Sequence, residues 1–320
     1  VNAQGGLFQT LVAAASAAAA NLQFENALVD AAYWDFKPVV ATPNTTLSVV
    51  IPTVDEADVT DIGSGPLNIT DTDHNSVSVP YDKHFSTSFT IKAWDQARTP
   101  QDLERTYLRP RMEALLRKVN RTIVDLINTT NFSSSTTPVA GYDKKSGTTT
   151  GYFARTDINQ CWSAMALKGV PMNERQNMFF ITGPTAFGKM LSDTTMSYQY
   201  IVGNDAALAA QQDAKLATIF GATVRYDQHM EQDKTANGFT NAPGALLHRY
   251  AIAAVTAEPP PLSQEPGSGI REQVVWLKNS IPVQIQMGPS LTQQGTIVHI
   301  HAYWGVKVAR PDFASLIDSA

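Results

Sequence analysis

An α+β fold is predicted for these 320 residues on three observations. Period-two alternation marks strands in the first third and again near the C-terminus. Apolar residues spaced three and four apart mark a long helix from about residue 99. A near-continuous apolar run, Met178 to Thr182, reads as a buried strand between two further helical segments.

In chain order, Leu11 to Ala20 is Ala-rich and is followed by Leu22, Phe24, Leu28 and Val29. Alanine favours helix but buries little surface, so this is a helical arm, marginal alone and stable only against a neighbour. The same stretch imitates the apolar part of a secretory signal. The first basic residue is Lys37, so the charged segment that should precede such a signal is missing, and the arm is the preferred reading.

Residues 46–54 are strand-like and 55–65 are acidic and turn-like. Val77, Val79 and Tyr81 alternate with serine and proline; Phe85, Phe89 and Ile91 alternate with serine and threonine. Together these predict a long two-stranded excursion with one apolar face, which needs a surface to lie on.

Thr99-Pro100 then starts a helix, with Asp102 and Glu104 near the positive end of its dipole. Leu108, Met112, Leu115, Leu116, Val119, Ile123, Leu126 and Ile127 form its apolar face. At ~1.5 Å per residue it would span about 45 Å. Pro110 must either kink it or mark its true start.

Residues 133–151 read as a loop. Residues 157–168 form a helix stopped by Gly169 and Pro171, and 185–192 and 205–220 form two more. A strand at 223–226 precedes the polar loop 227–241. The last third holds an apolar run at 244–256, a strand at 281–287, a long strand from Thr296, and a terminal helix started by Pro311. In that long strand Val298, Ile300, Ala302, Trp304, Val306 and Val308 share a core face, with His299, His301, Tyr303 and Lys307 on the other.

Composition narrows the function. With 43% hydrophobic residues the chain is globular and large enough for two or three packed domains. A formal charge of −5 argues against strong non-specific attraction to nucleic acid. The single cysteine, Cys161, excludes an internal disulfide framework and fits a reducing cytoplasm. On the apolar side of its helix it reads as a small buried hydrophobe rather than a nucleophile. No run reaches the ~20 apolar residues of a membrane helix. Sequons at Asn44, Asn68, Asn120, Asn128 and Asn131 would suit a secreted adhesin, but chance supplies them in a chain rich in Asn and Thr.

Catalytic signatures are missing: there is no nucleophile elbow, phosphate loop, dinucleotide fingerprint or zincin helix. The chain therefore reads as a non-enzyme with no cofactor or metal. One alternative from another class is a metal-dependent hydrolase using His299, His301 and Asp73, although two imidazoles on one strand more often face solvent or an interface. Asp71, Asp73 and His74 lie where turn chemistry already explains them.

Taken in order, these pieces resemble the major capsid (coat) protein of tailed double-stranded DNA phages, with the Hong Kong 97 phage-type fold, nearest the short-tailed phage branch. The resemblance rests on Val-Pro-Tyr-Asp-Lys-His-Phe at 79–85, Asp102-Leu103 and Tyr107-Leu-Arg-Pro110. It rests also on Leu247-His-Arg-Tyr-Ala-Ile252 and Tyr303-Trp-Gly-Val-Lys-Val-Ala-Arg-Pro311. It implies an N-terminal arm (1–45), an extended hairpin loop and return strand (46–98), and a spine helix with peripheral domain (99–184). An axial domain (185–280), then return strands and a C-terminal helix (281–320), complete it. Val224 to Ala245 leaves no room for the large inserted domain of some members.

The implied function is a shell of hexamers and pentamers around packaged DNA, a virion component assembled in the bacterial host cytoplasm. Its partners would be further copies of itself, scaffolding and portal proteins, a cement or decoration protein, and DNA held non-specifically, with no membrane. An encapsulin-like bacterial compartment is the nearest rival. Leu22, Phe24, Val77, Val79 and Tyr81 are the expected contacts between subunits. Arg105, Arg109, Arg117, Lys118 and Arg121 form a basic side of the spine helix, which either is simply solvated or faces DNA.

Overall fold

A computed structural model describes residues 8–9, 11–13, 15, 27–40, 44–51, 76–92, 104–132, 144–146, 153–192, 218–259, 270–276, 281–290, 292 and 295–319. Its first sheet is built around β13 (Gly295–Val308). The first half of β13 lies between β4 (Lys83–Lys92) and β12 (Pro282–Ser290), both antiparallel to it. Its last residues pair with β10 (Ile252–Glu258). Beyond these lie β1 (Tyr33–Val40), parallel to β10, and β11 (Arg271–Trp276), antiparallel to β12.

The second sheet runs in the order β5 (Lys144–Ser146), β14 (Ala314–Asp318), β9 (Pro243–His248), β6 (Met178–Thr182), β8 (Ala222–Tyr226), β7 (Thr218–Ile219). β6 pairs with both β8 and β9, so strands on either side of residue 184 share one sheet. The two sheets join where β9 turns into β10 through Arg249–Ala251 and where β13 passes to β14 through Pro311–Phe313. The crossings are tied by Ala309 N–H donating to Ala251 O at 2.9 Å.

After a short helix α1 (Ala27–Ala31), the helix α2 (Arg109–Val124) buries Met112, Leu115, Leu116, Val119 and Ile123 in the main core, as its spacing predicts, and Val124 with them. It ends sooner than predicted, and the predicted start at Thr99-Pro100 lies outside the described residues. Pro110 lacks the N–H for a regular turn, and the residues before it, Glu104–Leu108, form a π-helical turn instead. At the other end the chain turns after Val124. Asn128 Nδ2 donates to Asp125 O (2.8 Å) and Asn131 Nδ2 to Leu126 O (2.9 Å), so side chains satisfy the carbonyls that another helical turn would have used.

Three further expectations need correction. The alternating segments 76–81 and 85–91 do not pair with each other. β3 (Ser76–Tyr81) pairs with β2 (Thr45–Val50) as a separate two-stranded sheet, while β4 joins β13. Pro311 starts only a 3-10 turn, and the predicted terminal helix is β14. Leu316 and Ile317 are both fully buried between β5 and β9, which demands opposite faces covered, as in a central strand rather than a one-faced helix. The end of the predicted 205–220 helix is β7 and a turn; its earlier residues lie outside those described.

Candidate functional site

In β10 Ile252 and Ala254 face the main core while Ala253, Val255 and Ala257 face the other way. On that second face sit Val49, Ile51, Val79 and Tyr81 of the β2–β3 hairpin, all buried. Tyr81 donates its hydroxyl to Ala257 O at 3.1 Å, and burial pushes its phenol well above the usual range. Lys307 Nζ reaches Ser78 O at 3.1 Å. Gly305 is required where the hairpin crosses: an added Cβ would overlap the Pro80 carbonyl oxygen and lie 3.0 Å from Val255 Cγ1.

Val79 and Tyr81 are therefore covered by their own chain. Val77 is half-buried and keeps some surface for a neighbour. Leu22 and Phe24 lie outside the described residues. The described arm positions Phe8, Leu11, Val12 and Ala15 are buried in the chain's own main core. Apolar surface remains at Val50, 44% exposed on β2, and at the edge-to-face pair of Phe36 on β1 and Trp276 on β11, rings 5.0 Å apart.

Arg105, Arg109, Arg117, Lys118 and Arg121 are all exposed. Arg109 pairs with Glu113 at 3.3 Å and Arg121 with Asp233 at 2.8 Å. Lys118 lies over the Phe85 ring at 5.0 Å. Among the described residues no ion pair involves Arg105 or Arg117. Behind this face, Asn120 donates to Asp227, whose other oxygen caps the N-terminus of Gln228–Gln232 by accepting from His229 N at 2.8 Å. Asn120 is 1% exposed, so its sequon is inaccessible in the fold.

The polar face of β13 carries more than periodicity revealed. His84 on β4 sits diagonally beside His301, with Nε2 and Nδ1 3.1 Å apart, and stacks on Tyr303 at 4.1 Å. His299 lies 6.0 Å from His301, ring to ring. Burial holds the His301 imidazole down at about 4, with repulsion from His84 and His299 adding to the effect. Burial lowers His84 as well. Sequence reasoning missed His84 because the alternating segment 85–91 was paired with 76–81 rather than with β13. Asp73 lies outside the described residues, and among the described residues no group of three or more His, Cys, Asp or Glu is arranged around a common metal position. Cys161 is buried, as its helical position predicts.

No protein-family model matches the chain, and no curated protein matches it in sequence. Solved structures do resemble it. The capsid structure of the cyanophage P-SCSP1u matches 92% of this chain and 88% of its own at 15% identity, with a TM-score of 0.56. The mature capsid of bacteriophage PhiM1 matches 90% of this chain and 85% of its own at 12% identity, with a TM-score of 0.51. At such identities the likeness speaks for the fold: the chain has the α+β fold of phage capsid proteins, the Hong Kong 97 type.

Proposed function

We propose that this chain is a major capsid protein whose copies assemble as hexamers and pentamers into the icosahedral head of a tailed phage, enclosing double-stranded DNA. The observation that carries the reading is the likeness over 92% of the chain to a subunit of a cyanophage capsid. Assembly in a bacterial cytoplasm, with scaffolding, portal and decoration partners, belongs to the same proposal, as does the division into arm, extended loop, peripheral and axial domains.

The surface suits the role in two ways. Exposed apolar residues, among them Val50, Phe36 and Trp276, are available for burial against neighbouring copies. Net acidity keeps packaged DNA from adhering generally, while Arg105 and Arg117 supply local attraction. Because the base of the hairpin and the described arm residues pack on their own chain, the proposed subunit contacts rest on Val77 and these exposed positions.

Electron microscopy of the purified chain tests the assembly: uniform polyhedral particles are expected, and a monodisperse monomer at every protein and salt concentration overturns the proposal. Replacing Arg105 and Arg117 by Glu should leave shell formation intact and reduce DNA packaging. Unchanged packaging would remove their DNA-facing role.

A further inference from the structure

We infer that His84 and His301 form a chelating pair for a borderline transition-metal ion, Zn²⁺ or Ni²⁺, on the polar face of the first sheet. The two imidazoles come from adjacent antiparallel strands: His84 stands opposite Tyr303 and His301 opposite Ser86. Their nearest nitrogens, His84 Nε2 and His301 Nδ1, are 3.1 Å apart, and the ring centroids are 5.3 Å apart.

With metal–nitrogen bonds of about 2.05 Å, nitrogens at this separation subtend an angle of about 98° at a shared ion. That lies between the tetrahedral angle and the cis angle of an octahedron. Without metal the two nitrogens share one N–H. An ion takes the place of that proton after a rotation of each ring about its terminal torsion, which is a broad and soft coordinate.

The surroundings favour this chemistry. His84 is exposed and His301 half-buried, so an ion can enter and water can complete its shell. Tyr303 stacks on His84 with planes 6° apart and holds that ring against the sheet. The ladder between β4 and β13 runs for ten residue pairs, so both ligands stand on a rigid frame. Imidazole nitrogen suits zinc, nickel and copper, whereas magnesium and calcium take oxygen ligands, so the pair discriminates by ligand type. The inference does not depend on the capsid reading.

The test is isothermal titration of the tag-free 320-residue chain with NiCl₂ and ZnCl₂, with MgCl₂ as control. One ion per chain is expected for nickel or zinc, and no heat for magnesium. His84→Ala and His301→Gln should each weaken binding at least tenfold. His299→Ala, on the same strand and face, should retain it; circular dichroism verifies that each variant is folded. Failure of the wild type to take up one equivalent of either ion, or equal affinity in folded His84→Ala or His301→Gln, overturns the inference.

Discussion

Trp304 is where the long helix meets the central strand, and replacing it measures that junction directly. Its side chain is fully buried, its indole N–H donates to Thr122 Oγ1 of α2 at 3.1 Å, and its ring stacks on Phe85 of β4 at 5.1 Å. A buried tryptophan removes up to ~250 Å² from water, which at ~25 cal/mol per Å² is about 6 kcal/mol as an upper bound. Measured large-to-alanine changes bring Trp304→Ala to about 4 kcal/mol.

The hydrogen bond can be separated from the packing. Thr122 Oγ1 also donates to Val119 O at 2.6 Å, so the hydroxyl is donor to the helix and acceptor from the indole at once. Thr122→Val leaves a buried indole N–H orphaned and should cost about 1–3 kcal/mol. Thr122→Ser keeps the oxygen and should cost less than about 1 kcal/mol. Trp304→Phe removes the donor itself, so only the smaller ring's lost packing is felt, at about 1–2 kcal/mol. Urea unfolding of the unassembled chain, followed by far-ultraviolet circular dichroism, gives each value. Trp304→Ala costing under about 1.5 kcal/mol, or Thr122→Val matching Thr122→Ser, would refute the reasoning.

Three other outcomes are expected. Gly305→Ala should destabilise by about 1–3 kcal/mol, since the new methyl meets Pro80 backbone rather than a yielding side chain, and limited proteolysis should find the hairpin loosened. Asn120→Ala should cost about 2–3 kcal/mol in the same urea assay by leaving a buried Asp227 oxygen without its partner. His248 is fully buried, and burial holds its imidazole below the ordinary 6.5, with Glu174 opposing the effect. The unfolded chain therefore takes up this proton first as pH falls, so stability is full above pH 6.5 and declines below it. His248→Gln should flatten that part of the pH–stability profile, and an unchanged slope would contradict the assignment.

Much of the fold was legible from local pattern. The apolar face of α2, the buried strand β6, the stop at Gly169 with its positive φ, and the inward and outward sides of β13 all appear where spacing places them. Each depends on how a short segment must orient to hide its apolar residues, and neighbours in sequence carry that information. The candidate site was legible only in part. The basic residues of α2 were identifiable because helical periodicity places them away from the core. His84 was not, because its role depends on which strand lies beside β13.

Strand partnership is where local pattern ran out. Segments 76–81 and 83–92 alternate with the same period and are separated by one residue, so nothing in their composition distinguishes a shared hairpin from membership of two sheets. The choice rests on surfaces made by distant residues: the Ala253, Val255 and Ala257 face of β10 that receives β3, and the ten-residue flank of β13 that receives β4. The terminal segment follows the same logic. Pro311 promises a helix locally, but β9 and β5 leave a slot that only an extended strand fills. Local chemistry thus settles which way a side chain points, whereas its neighbour is settled by long-range burial, a property of the assembled chain.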